Sequence, residues 1–191
     1  MNLSKAIKKQ RKNYIGFLVF MGFTFILLPV VLILFKNYNV IVWTYLIVIE
    51  VFVSIITINR VDYETLRFKH KVDKFYIRNG ILRRHIYFKC ESLVFVHLER
   101  KDEKEELVLL FQSKRSNRNL KGITQMFMKK YPYVSSYYYD LYKLKPEYYY
   151  YYLVINKGWN KKYLLLDELY SSCFNAFYSE EAIEIIKQCR E

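Results

Sequence analysis

The sequence predicts an α+β protein: an N-terminal transmembrane helical hairpin, followed by an antiparallel β-rich domain with a helical insertion and a C-terminal helix. Three observations predict it. Residues 14–35 carry no charge, and residues 40–58 carry only Glu50. From Val72 onward, apolar positions alternate with a period of two, the signature of strands with one buried face. After Ser179 they recur at helical spacing, as Ala182, Ile185, Ile186 and Cys189.

The hairpin comes first. Its runs of twenty-two and nineteen residues reach roughly 33 and 28 Å at about 1.5 Å per residue, matching a hydrocarbon core about 30 Å thick. Pro29 predicts a kink, because its ring cannot donate to the carbonyl of Phe25. The run is too long for a signal-peptide core of about 7–15 residues, so it reads as an uncleaved anchor. Residues 1–13 form a basic flank with Lys5, Lys8, Lys9, Arg11 and Lys12 and no acid. Arg60, Arg67, Lys69 and Lys71 follow the second span, whereas the turn holds only Lys36. This asymmetry predicts a multi-pass membrane protein with both termini cytoplasmic.

Glu50 is the one acid in the spans, and with so short a turn it lies opposite Thr24. Two readings follow. A protonated carboxyl bonded to Thr24 or to a helix carbonyl is the plainer; an oligomeric ion or proton pathway, or a contact to another membrane protein, is the alternative.

Residues 59–71 read as a polar, basic linker, and residues 72–191 as one domain. Phe75 and Ile77 alternate with Tyr76 and Arg78, and Asn79-Gly80 predicts a two-residue type I′ hairpin. Ile81, Leu82 and Ile86 resume the pattern. Leu93–Leu98 and Glu106–Gln112 complete a four-strand meander around the polar turn at 101–104. Leu120, Ile123, Phe127 and Tyr131 form a helical stripe that Pro132 ends, and residues 134–142 are either helical or irregular. Glu147–Ile155 is expected to be a strand, with a turn at 157–160, a return strand over Lys161–Leu166 and a short strand within Ser171–Phe177. Ser179 caps the last helix, with Glu180 and Glu181 in its first turn and Lys187 and Arg190 in its last.

Two spans, the segment Val72-Asp73-Lys74-Phe75-Tyr76-Ile77-Arg78-Asn79-Gly80-Ile81-Leu82-Arg83-Arg84, and Phe177-Tyr178-Ser179-Glu180-Glu181-Ala182 opening a final helix together resemble the bacterial pleckstrin-homology-like membrane proteins. The resemblance implies a strongly bent, seven-stranded sheet capped by the C-terminal helix and facing the cytoplasm. Residues 120–142 depart from that pattern as an insertion. Some members of that family are similar to immunity proteins against membrane-active bacteriocins, which implies self-protection as an alternative function.

The formal charge is +13, shared as six Lys/Arg against one acid in residues 1–58 and twenty-five against seventeen beyond. Beside a bilayer, this favours an anionic leaflet as partner. Arg78, Arg83, Arg84 and Lys89, with His85, cluster around the first hairpin. They could fork onto a phosphate, although a solvated hairpin drawn diffusely to the leaflet is the plainer reading. A second basic set is Lys114, Arg115, Arg118, Lys121, Lys129 and Lys130, but its nearby aromatics have core spacing, so no nucleic acid is expected. Tyr137–Tyr139 and Tyr148–Tyr152 read as packing, or as an edge for a protein partner. Cys90, Cys173 and Cys189 are odd in number and far apart, and read as reduced cytosolic cysteines. His85, Cys90 and His97 are too few for a metal site, and no cofactor motif or catalytic signature occurs. The expected function is a non-enzymatic, membrane-anchored interaction module that binds a protein partner or a second copy of itself at the inner membrane face.

Overall fold

The computed structural model describes residues 3–36, 39–81, 85–101 and 104–190. Two helices, α1 (Leu3–Leu34) and α2 (Val40–Glu64), are each long and apolar enough to cross a membrane. Asn39 caps α2, its side-chain oxygen accepting from the Ile41 amide at 3.0 Å. Along both helices large apolar side chains point outward; Phe20, for example, is 64% exposed. α1 is one continuous helix that includes most of the basic flank and Pro29.

The expected linker does not exist. α2 continues to Glu64, and only Thr65 separates it from β1 (Leu66–Lys71). The physical reason is a period of two in the basic stretch: Leu66, Phe68 and His70 turn inward while Arg67, Lys69 and Lys71 turn out. β1 pairs antiparallel with β2 (Lys74–Asn79) across the tight turn Val72-Asp73, with Val72 at φ 53.

Nor is Asn79-Gly80 a tight hairpin turn. Ile77 pairs with Ile86 of β3 (Ile86–Lys89), so the connection is longer, and Leu82, Arg83 and Arg84 lie outside the described residues. Asn79 is still strand, buried opposite Leu66, with its side-chain Nδ2 donating to the Val154 carbonyl at 3.0 Å.

A 3₁₀ turn at Cys90–Ser92 leads into the second sheet. Its strands are β4 (Leu93–Lys101), β5 (Lys104–Ser113), β6 (Lys121–Gly122), β7 (Tyr149–Ile155) and β8 (Phe177–Tyr178), in the order β6-β7-β5-β4-β8. The insertion is helical, as α3 (Gln125–Lys130) and α4 (Pro132–Leu144). Pro132 both ends α3 and opens α4, since at N1 its missing N–H costs nothing.

Residues 161–166 are not a return strand but the start of α5 (Lys161–Ser172). Leu165, Leu166 and Leu169 recur at helical spacing, and all three are fully buried. The strand expected within 171–177 shrinks to β8. α6 (Glu180–Arg190) begins where Ser179 predicts, with Ala182, Ile185 and Ile186 buried.

Two cores result. One face of the large sheet packs with α5, α6 and the inner face of the small sheet around Phe75, Phe111 and Leu109. The other face packs Phe95, Val108 and Leu110 against Phe127, Tyr131 and Val134 of the insertion. The strands are thus divided into two sheets with a parallel β4–β8 pair and helices over both faces of the larger one, where one bent seven-stranded sheet was expected.

The cysteines differ from expectation too. Cys90 and Cys173, 83 residues apart, are joined as a disulfide, and Cys189 is free. The 3₁₀ turn and the end of α5 bring them together, which spacing along the chain does not reveal.

Candidate functional site

The junction between α2 and the domain is built from backbone and charge together. The Gly80 amide donates to the Thr65 carbonyl at 2.7 Å, and the Gly158 amide to the Tyr63 carbonyl at 2.9 Å. Both glycines have positive φ, +98° and +87°. A Cβ on Gly158 would lie 2.3 Å from the Leu66 side chain, and one on Gly80 would lie 2.5 Å from Asp62. Glycine at both positions lets one loop approach Asp62 of α2 and the other Leu66 of β1 this closely.

Asp62 then holds both neighbours. One carboxylate oxygen accepts from the Ile81 amide at 2.7 Å and the other pairs with Lys157. Glu64, 5% exposed, pairs with Arg60 at 3.2 Å and accepts from the Gln10 side chain, whose carbonyl in turn accepts from the Asn160 amide. Arg60 also lies 5.9 Å from the ring centroids of both Phe17 and Trp159. α1, α2 and the 157–160 turn are therefore fastened at one place, with buried charges paired as burial requires.

Beside the junction lies the outer face of the small sheet. Register places Arg67 opposite Arg78, Lys69 opposite Tyr76, Lys71 opposite Lys74, Lys74 opposite Lys89, and Tyr76 opposite Tyr87. All share one face, and all but the half-buried Arg78 are exposed. Tyr76 and Tyr87 neighbour each other at 6.3 Å in its middle. Every strand position on this face is Lys, Arg or Tyr. Of the expected cluster, Arg78 donates to the Ile81 carbonyl near the junction, while Lys89 stands at the opposite end of the sheet; Arg83 and Arg84 lie outside the described residues. The structure therefore does not gather Arg78 and Lys89 around one phosphate; it spreads them over a face shared with Arg67, Lys69, Lys71 and Lys74.

A half-open cleft of about 690 Å³ lies between α3 and the β7 side of the large sheet, lined by Leu120, Phe127, Tyr152 and Val154 among others. Its polar centre is Glu106, which accepts from Lys130 at 2.7 Å and from the Tyr131 hydroxyl at 2.6 Å. Burial would raise the Glu106 pKa, but these two donors outweigh it and hold the group below its usual range. Burial, then the bond to Glu106, pushes Tyr131 up to about 12. Lys130, expected in a free basic set, is thus committed to Glu106, and Phe127 and Tyr131 are buried as their spacing predicts.

His97 is buried between Ser179, 3.0 Å from Nδ1, and Glu99, 3.0 Å from Nε2, with the Tyr133 ring at 4.8 Å. These types can build a hydrolytic triad. Here Ser179 is 1% exposed and its hydroxyl accepts from the Ala182 amide at 3.4 Å, so the group fastens α6 to β4 instead. Among the described residues no group of three or more His, Cys, Asp or Glu side chains is placed to hold a metal ion, and His85, Cys90 and His97 form none.

In the hairpin, Thr24 donates its hydroxyl to the Phe20 carbonyl at 2.9 Å, within its own helix. Glu50 is half-buried, and the structure describes no hydrogen bond between the two. Most of the tyrosine runs are packing: Tyr137 stacks on Phe95 at 4.2 Å and Tyr152 on Phe127 at 4.0 Å.

The reading of residues 59–71 as a linker passes over the basic face, since it leaves Arg67, Lys69 and Lys71 outside any strand. The signal was present, as strict alternation from Leu66 to Lys71. No protein-family model, curated protein or solved structure matches the chain.

Proposed function

We propose that this chain is a non-enzymatic, membrane-anchored interaction module: α1 and α2 span a bacterial cell membrane, both termini are cytoplasmic, and the folded domain receives a protein partner at the inner face. The junction carries the reading. A domain tethered only for location has no need of a fixed junction, whereas here α2 passes into β1 through one residue and is locked by Asp62, Glu64, Gly80 and Gly158. Such fastening holds the domain in one orientation at the bilayer surface, which serves presentation of a particular face.

Crosslinking in intact cells tests it. A partner captured by the full chain is lost on removing residues 72–191; an unchanged set of partners contradicts the reading. Thiol trapping tests the side of the membrane. A cytoplasmic domain keeps Cys90 and Cys173 reduced in the cell and joins them on aerobic purification. Three alkylated thiols in intact cells and one after purification are expected. A single thiol in intact cells would put the domain on the oxidising side.

A further inference from the structure

We propose that the outer face of the small sheet docks onto anionic lipid headgroups of the same bilayer that holds the hairpin, laying the domain along the membrane surface. The inference rests on the membrane reading of α1 and α2.

The face carries six cations, Arg67, Lys69, Lys71, Lys74, Arg78 and Lys89, and no strand position on it holds a carboxylate. Among the described residues none of these lysines enters an ion pair. Lysines dominate over arginines, and no fork converges on a single phosphate, which suits diffuse attraction to a charged sheet. Tyr76 and Tyr87, 37% and 50% exposed, occupy the middle. Amphipathic rings are favoured at the headgroup level.

Position supplies the second argument. α2 runs six residues past Ile58, about 9 Å at 1.5 Å per residue, so the Arg67–Arg78 end of the sheet begins within about one screening length of the hydrocarbon edge. Lys71, Lys74 and Lys89 stand at the other end, roughly 13 Å further along the strands. They reach the headgroups only if the sheet lies along the surface. Thr65 permits that: its extended backbone, φ −86 and ψ 98, breaks the line of α2 where the strand begins. The tether also keeps the bilayer at high effective concentration, which a soluble polyanion lacks.

The distal lysines decide the matter. The wild-type chain is reconstituted in nanodiscs of phosphatidylcholine alone, or with about one-third phosphatidylglycerol, and its lysines are acylated and read by mass spectrometry. Lys69, Lys71, Lys74 and Lys89 are expected to react several-fold more slowly in the anionic discs. The difference disappears in about 0.5 M salt, where screening shortens to a few ångströms. Equal rates at Lys71, Lys74 and Lys89 in both discs, with Lys8, Lys9 and Lys12 still slowed, overturn the proposal and leave the anchor standing. Protection in neutral discs by a single-stranded oligonucleotide or by polyglutamate, but not by anionic lipid, assigns the face to that partner and overturns it as well. A chain that stays soluble and enters no disc overturns the membrane reading and this inference together.

Discussion

The hairpin and the domain solve the same problem in opposite ways. In α1 and α2 the large apolar side chains face outward and very little of either apolar window is covered by protein. In the domain, Phe75, Phe95 and Phe111 are fully buried between sheets and helices. The chemistry of the side chains is similar; under the proposed membrane reading, what differs is the solvent each half is built for. Lipid satisfies an apolar exterior and requires every backbone group to be bonded within the segment, which a helix alone supplies. Water requires an interior.

That contrast predicts unequal costs for the same substitution. Phe111→Ala leaves a cavity in the domain core and should cost about 3–5 kcal/mol. Phe20→Ala, on a ring exposed on the outside of α1, should cost about 1 kcal/mol or less if that outside is lipid. Denaturant unfolding of the reconstituted protein measures both, and comparable losses would break the comparison.

Next come the contacts that join the two halves. Gly158→Ala places a side chain at positive φ and against Leu66, and Gly80→Ala does the same against Asp62. Each should cost about 1–3 kcal/mol. Hydrogen exchange should localise the loss to residues 60–66 and 157–161, with the cores still protected. Slow exchange unchanged at the junction would show that the halves are held by something else.

Within the domain, Glu106 gives a smaller, pH-dependent effect. Its folded pKa is depressed, so the stability it lends is present above the unfolded carboxylate range and is lost as pH falls through the folded value. Glu106→Gln should cost about 1 kcal/mol at neutral pH and flatten the acid limb of the stability profile. Tyr131 acts in the opposite direction. With its folded pKa raised to about 12, its contribution is complete below about pH 10 and is lost as pH rises toward 12. Tyrosinate absorbance during alkaline titration reads it.

The smallest effects belong to the basic face. Lys69→Ala or Lys74→Ala, fully on the outside, should change stability by about 0.5 kcal/mol or less. Phe75→Ala, one position from Lys74 but on the inner face, should behave like Phe111→Ala. Equal effects would mean that the sheet does not have one wet and one dry side.

The two long helices were legible because an unbroken apolar run of about twenty residues leaves a helix as the simplest way to bond every backbone group. α6 was legible because Ser179, Glu180 and Lys187 mark its ends as clearly as Ala182 and Ile185 mark its face. β7 was legible from its β-branched and aromatic run. α5 was not, since Leu164-Leu165-Leu166 suits strand and helix alike and only tertiary packing chooses. The Asn79-Gly80 pair misled for a different reason: Gly80 does take positive φ, but to let the chain approach Asp62 and Lys157 and not to reverse a hairpin. The Cys90–Cys173 pair and the His97–Ser179 contact join residues about eighty positions apart. Nothing local in the sequence announces them. Of the candidate site, the charges at Arg78 and Lys89 were visible, but the face they share with Arg67, Lys69 and Lys71 required the register.

The central claim is that the apolar helices live in lipid and hold the domain there. Detergent-free fractionation of cells expressing the full chain, with an alkaline carbonate wash, tests it most directly. The protein should remain entirely in the membrane pellet and be released only by detergent. A stable, water-soluble monomer in the supernatant would contradict the account at its root.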